Sequence, residues 1–238
     1  MGKVGSKVIT KSLYECWPGP VAHGHAVRRI NYMYPDVSAL YWRFLRNPRP
    51  LYVISFAREP ISRNISAYFQ AHGRNKQLLL RDPAYLKKHF LSHYNHSLVL
   101  RWFDKFFAPW TGIDVYQKEL CRGGATYRCG NVQALVLRVE MPNERKKKAI
   151  EKSLGVKLPQ YRSRHTSAGK SHAREYEQLK SSFQPPQWYA DMMYNAKYTN
   201  HFYPGPKGDE LKQRWKARIP SVSEPVPWIR RHVTEEKE

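Results

Sequence analysis

Apolar residues along this chain fall into short dense runs and longer spaced stripes, separated by segments rich in charge, glycine and proline. The densest run, Leu51, Tyr52, Val53, Ile54 and Phe56, has strand length and is rich in β-branched and aromatic residues, so it predicts a buried strand. Arg58 closes it, and Pro60 stands where a first helical residue tolerates a missing N–H. A helix is predicted from there: Ile61, Ile65 and Tyr68 or Phe69 share one face, and Ser62 and Ser66 lie four apart on another. Residues 83–110 read as strongly helical, with Leu86, Phe90, Leu98, Trp102 and Phe106 on or near one stripe.

The remaining elements are shorter. Residues 112–116 (GIDVY) predict the start of a strand, CRGGATYRCGN a glycine-rich break, and residues 132–139 a second, interior strand. ERKKKAIEKSL predicts an amphipathic helix stopped by Gly155, and a final helix packs through Met192, Met193 and Tyr198. Near the start, VITKSLYE suggests a helix, and PGPVAHGHAV places turn residues before a short strand ending in His23 and His25. Beyond Tyr203, prolines and glycines interleave with charge, which predicts a mobile tail over 204–238 behind one domain over 1–203. No repeat points to a solenoid.

Composition narrows the partners. With 41 Lys and Arg against 19 Asp and Glu the formal charge is +22, so the surface attracts polyanions. The 16 Tyr, 9 Phe and 7 Trp would also supply stacking partners, so charge alone does not separate a phosphate-rich small molecule from nucleic acid. Cys16, Cys121 and Cys129 have no metal-ligand spacing and their odd number argues against a disulfide framework, which suggests a reducing, cytoplasmic setting. No apolar run has the length of a membrane span.

Several groups carry candidate chemistry. Arg58, Ser66 and the N–H groups opening the helix at Pro60 suit one phosphate. The opening MGKVGSKV is a second candidate phosphate loop: Gly2 and Gly5 permit close backbone approach, Lys3 is a mobile cation, and Ser6 can cap the helix that follows. It is not a Walker loop. Extended backbone would put His23 and His25 on one side, where either imidazole can take a proton from a hydroxyl; Glu59 is the rival base, although its place beside Arg58 suggests a structural partner. His89, His93 and His96 have a spacing compatible with zinc, but no local carboxylate or cysteine joins them, and no metal is expected. Arg28, Arg29, Arg43 and Arg46 would face an acidic acceptor or, more commonly for such charges, solvent.

A K-x-G-S loop followed by a strand ending in R-E-P and a helix carrying R-x-x-S resembles the PAPS-dependent sulfotransferase superfamily. GKVGSK, the HGH step, SFAREPISRNISAYFQ, RWFDKFF, GIDVY, LVLRVE and KYTNHFYP are similar to segments of proteins described as capsular polysaccharide synthesis proteins, over about residues 1–203. The resemblance implies an α/β, P-loop NTPase-like fold with a mainly parallel sheet flanked by helices. It implies that Lys3, Gly5, Ser6, Lys7 and Val8 hold the 5′-phosphosulfate of PAPS, with Lys7 departing from a more usual Ser or Thr. Arg58 and Ser66 would hold the 3′-phosphate. Arg164 and Lys170, in a late basic segment, would close on that same end. His25, with His23 as second choice, would be the base, and Lys3 would neutralise the leaving group.

Such a loop needs a strand feeding it, and the sequence opens at the loop. The expectation is that the start lies upstream or that the sheet lacks its first central strand. The implied activity is sulfuryl transfer from PAPS to a hydroxyl, on a carbohydrate or capsular polysaccharide, with no specific nucleic acid partner. The alternatives from composition are a non-catalytic polyanion or nucleic-acid binder and a nucleotide-fold scaffold in glycan assembly.

Overall fold

The computed structural model describes residues 6–24, 50–121, 123–159 and 172–219. In chain order the elements are α1 (Ser6–Cys16), β1 (Leu51–Ala57), α2 (Pro60–His72), α3 (Lys76–Leu79), α4 (Pro83–His93), α5 (Leu98–Trp102), a π turn (Phe103–Phe107) and α6 (Ala108–Thr111). A short 3-10 turn (Val115–Gln117) leads to β2 (Gly124–Cys129) and β3 (Val132–Arg138). Then come α7 (Asn143–Leu154), α8 (Ala173–Ser182), α9 (Gln187–Tyr194), α10 (Lys197–Phe202) and α11 (Pro206–Lys216). The chain divides into two compact units, Met1–Arg58 with Trp102–Thr166 and Glu59–Arg101 with Ser167–Glu238.

Among the described residues the first unit is α/β, a three-stranded mixed sheet of order β1-β3-β2 flanked by helices. β1 and β3 run parallel in register from Leu51 opposite Val132 to Ala57 opposite Arg138, and β2 pairs antiparallel with β3. Among the described residues the sheet has one parallel and one antiparallel pair, where the resemblance implied a mainly parallel sheet. β3 is central and correspondingly apolar, with Val132, Ala134, Leu135, Val136 and Leu137 all buried. β2 is an edge strand whose Thr126, Arg128 and Cys129 are exposed.

Two sequence expectations fail here for local reasons. The predicted strand at 112–116 is a turn. Gly112 takes φ 69 and ends α6, and the Asp114 carboxylate accepts the Tyr116 N–H at 2.9 Å, a side-chain alternative to a strand ladder. The expected break is instead the second strand: β2 and β3 form a hairpin across Gly130–Asn131, with φ 55 at Gly130 and Cys129 opposite Val132. Tyr127 Oη, on that strand, donates to the Val115 carbonyl at 2.9 Å.

α1 presents Ile9 and Ser12 inward, and Trp17 just beyond it meets Tyr52 of β1 edge to face, with centroids 5.4 Å apart. α7 is stopped by Gly155 at φ 71, as its sequence predicts. Its Lys146 is buried despite the surrounding lysine run, because Nζ donates to the Val139 carbonyl beyond β3 at 2.8 Å.

The second unit is helical. α2 buries Ile61, Ile65, Tyr68 and Phe69, the stripe its sequence predicted. A chain of edge-on rings links Tyr68 to Phe90, Phe90 to Phe183, and Phe183 to Trp215, with centroids 5.3, 5.4 and 6.0 Å apart. The long helix predicted over 83–110 is interrupted after His93, where Tyr94 turns extended, and again by the π turn. There, within the first unit, Ala108 N–H bonds the Phe103 carbonyl five residues back. Phe107 is buried where the regular stripe called for Phe106. The final helix predicted around Met192 and Met193 is two helices, α9 and α10. Beyond it, where a mobile tail was expected, α11 forms and Trp215 is 1% exposed. One anchored indole supplies the apolar area that composition averaged away.

Candidate functional site

In the first unit the chain leaving α1 folds back along that helix. Tyr14 Oη donates to the Val21 carbonyl at 3.1 Å, and Ser6 Oγ lies 2.7 Å from His23 Nε2. Residues 21–24 have no regular structure, so His23 reaches this position from a loop and not from the expected strand. Ser6 is the first residue of α1, and its hydroxyl meets the imidazole. Partial burial, and then the charge of Lys7, hold the His23 pKa below its ordinary value. A neutral imidazole in the Nδ1-protonated tautomer can accept the Ser6 proton at Nε2. Ser6, Lys7 and Val8 therefore occupy the first turn of α1, where N–H groups point toward the helix start. Lys3, Gly5, His25, Arg164 and Lys170 lie outside the described residues.

Arg58 follows the last residue of β1 and is half-buried; the strand end is fixed by Val139 N–H donating to the Ala57 carbonyl at 2.8 Å. Glu59 is 2% exposed and caps α2: its carboxylate accepts Ile61 N–H at 2.9 Å and Ser62 N–H at 2.7 Å. It also accepts Tyr194 Oη at 2.9 Å. This corrects the expectation that the N–H groups opening this helix serve a phosphate, since a buried carboxylate already takes two of them. It also gives Glu59 a structural role, as the cap of α2 and the acceptor of the Tyr194 hydroxyl. Ser66 is partly exposed on α2.

Sequence reasoning passed over Arg63, the arginine of R-x-x-S. It is 4% exposed and turned into the second unit, donating to Asn64 Oδ1 at 3.0 Å and to Tyr94 Oη at 2.9 Å. Asn64 in turn donates to the His96 carbonyl at 3.0 Å, and the His96 ring meets the Phe90 carbonyl at 2.9 Å through Nε2. Burial depresses the His96 pKa to about 4. The three histidines weighed for zinc thus separate: His96 enters the core, while His89 and His93 stack at 4.3 Å and His89 Nδ1 meets Tyr68 Oη at 3.0 Å. Among the described residues no group of His, Cys, Asp and Glu is placed to hold a metal ion, and no helix is long and apolar enough to cross a membrane.

Compared with family models, with curated proteins and with solved structures, the chain matches none.

Proposed function

We propose that this protein is a sulfotransferase that moves a sulfuryl group from PAPS to a hydroxyl on a carbohydrate acceptor. The observation that carries the reading is the 2.7 Å contact between Ser6 and His23. It joins the candidate phosphate loop to the HGH segment, seventeen residues later, and these are the two parts such a reaction needs side by side. The first turn of α1 fits a phosphate group through its N–H groups and the adjacent Lys7 cation, while the Ser6 hydroxyl is directed to His23. The charge of the 3′-phosphate falls to the Arg58 guanidinium at the end of β1; in the second unit, Glu59 already engages two of the N–H groups that open α2.

PAPS, when bound, supplies the sulfuryl group and leaves as adenosine 3′,5′-bisphosphate. The acceptor oxygen forms the new bond to sulfur as the bridging sulfur–oxygen bond breaks, and the acceptor proton passes to an imidazole. Since Nε2 of His23 is engaged by Ser6, the proton falls to His25, and His23 holds the loop. Lys3 and Lys7 offset the charge that gathers on the departing phosphate.

The test is transfer of label from radiolabelled PAPS to acidic and neutral polysaccharide acceptors, comparing the wild-type chain with His25→Ala and His23→Ala. The proposal expects label in acceptor, abolished by His25→Ala. No labelled acceptor from any polysaccharide, with the chain folded, would contradict it.

A further inference from the structure

Helices α8 and α11 of the second unit enclose a cleft of about 230 Å³ lined by Glu177, Lys180, Ser181, Arg214, Trp215 and Arg218. Three cations stand against one carboxylate, with Lys180 Nζ 3.5 Å from Glu177 Oε2, so the excess charge is that of the two arginines, and the cations are held in place. Arg218 donates from Nη1 to the Lys180 carbonyl at 3.2 Å, and its guanidinium carbon sits 4.9 Å from the centre of the Trp215 ring. Arg214 lies 5.6 Å from the same ring, and Lys180 lies 5.6 Å from the Tyr176 ring. Guanidinium groups fixed over an aromatic ring hold their remaining N–H donors in a set orientation at little entropic cost.

We propose that this cleft binds the anionic group of an acidic saccharide, a sulfate ester or a uronate carboxylate. Oxyanions of that geometry accept paired N–H donors from arginine, which a net-cationic cleft with two oriented guanidinium groups provides. The volume is below the roughly 300–1,000 Å³ of drug-sized ligand sites, so it suits one charged substituent with the sugar ring that bears it. Single-stranded nucleic acid is disfavoured as occupant, because Trp215 is 1% exposed and presents no face on which a base can stack. This site does not depend on the PAPS reading, and its test uses no donor.

The experiment is calorimetry of the full chain with a sulfated glycosaminoglycan hexasaccharide at about 150 mM salt, where long-range attraction is screened beyond about 8 Å. Inorganic sulfate, the desulfated hexasaccharide and a DNA hexanucleotide are the comparison ligands. The variants are Arg214→Glu with Arg218→Glu and, because Arg218 also braces Trp215, Lys180→Glu alone. Arg145→Glu with Lys148→Glu on the exposed face of α7 matches the double charge reversal elsewhere. The proposal expects sulfated hexasaccharide binding that falls at least about tenfold in both cleft variants and less than about threefold in the α7 variant. Equal losses in the cleft and α7 variants would overturn it in favour of a diffuse basic surface. Preferential, cleft-dependent binding of the DNA would overturn it in favour of nucleic acid, and an absence of saccharide binding would overturn it outright.

Discussion

Tyr194 donates its phenolic hydrogen to the carboxylate of Glu59 at 2.9 Å, joining residues 135 positions apart inside the second unit. The carboxylate simultaneously caps α2 through Ile61 and Ser62. Burial, followed by the Glu59 charge, pushes the Tyr194 pKa far above its ordinary value, so the phenol stays protonated and remains a donor. Glu59→Ala removes the cap and leaves the largely buried Tyr194 hydroxyl with its longer, 3.3 Å bond to the Leu211 carbonyl, at an expected cost of about 2–4 kcal/mol. Tyr194→Phe leaves the cap in place and is expected to cost about 1 kcal/mol. Urea unfolding of the two variants checks the order; equal effects would mean that the cap contributes nothing of its own.

Gly208 lies inside α11, where alanine ordinarily stabilises a helix by about 1 kcal/mol relative to glycine. Here a Cβ would collide with the carbonyl of Tyr203, which is backbone and cannot swing aside. Gly208→Ala is therefore expected to destabilise by more than about 1 kcal/mol, reversing the usual sign. A midpoint equal to or above wild type in chemical denaturation would show that this turn relaxes freely.

The second unit loses stability in acid through its buried imidazoles. His96 has its pKa lowered by burial to about 4, and His72 and His89 are lowered by burial and by neighbouring imidazoles, His93 first. With a folded pKa below the unfolded value of about 6.5, the unfolded chain binds protons first. The loss begins as pH falls through about 6.5 and, for His96, is complete below about 4. His96 alone accounts for about 3 kcal/mol over that window. Unfolding free energies measured from pH 7.5 to 4 should show this slope, and His96→Asn should flatten it; an unchanged slope would show that His96 does not titrate with folding.

His23 is expected to remain neutral at pH 7, with an NMR titration midpoint below the free imidazole value. Burial is the main cause and the Lys7 charge the second, so Lys7→Gln should raise the midpoint without restoring it fully. A midpoint unmoved by that substitution would remove Lys7 from the surroundings of the Ser6–His23 pair.

Much of this was legible in the chain. β1 and β3 follow from dense apolar runs of strand length, α2 from helical spacing, and α7 from its pattern and Gly155. What sequence misread depended on single hydrogen bonds or residues: Asp114 making a turn of an apolar stretch, Gly130–Asn131 making a hairpin of an apparent break, Trp215 anchoring an apparent tail. The π turn escaped because a single hydrogen bond reaching five residues back leaves no mark on composition. At the site, the pairing of Ser6 with His23 was foreshadowed only by both residues belonging to candidate motifs. The burial of Arg63 was not foreshadowed, since a charged residue on an amphipathic helix normally faces solvent.

The central claim is a donor site built on α1 and Arg58, and calorimetric titration with adenosine 3′,5′-bisphosphate tests it most directly. Wild-type chain and Arg58→Ala are compared at low and at moderate salt. The account predicts one-to-one binding in roughly the micromolar range that persists at moderate salt and that Arg58→Ala loses. No binding by the folded wild type, or binding that the variant keeps and salt abolishes, would contradict it.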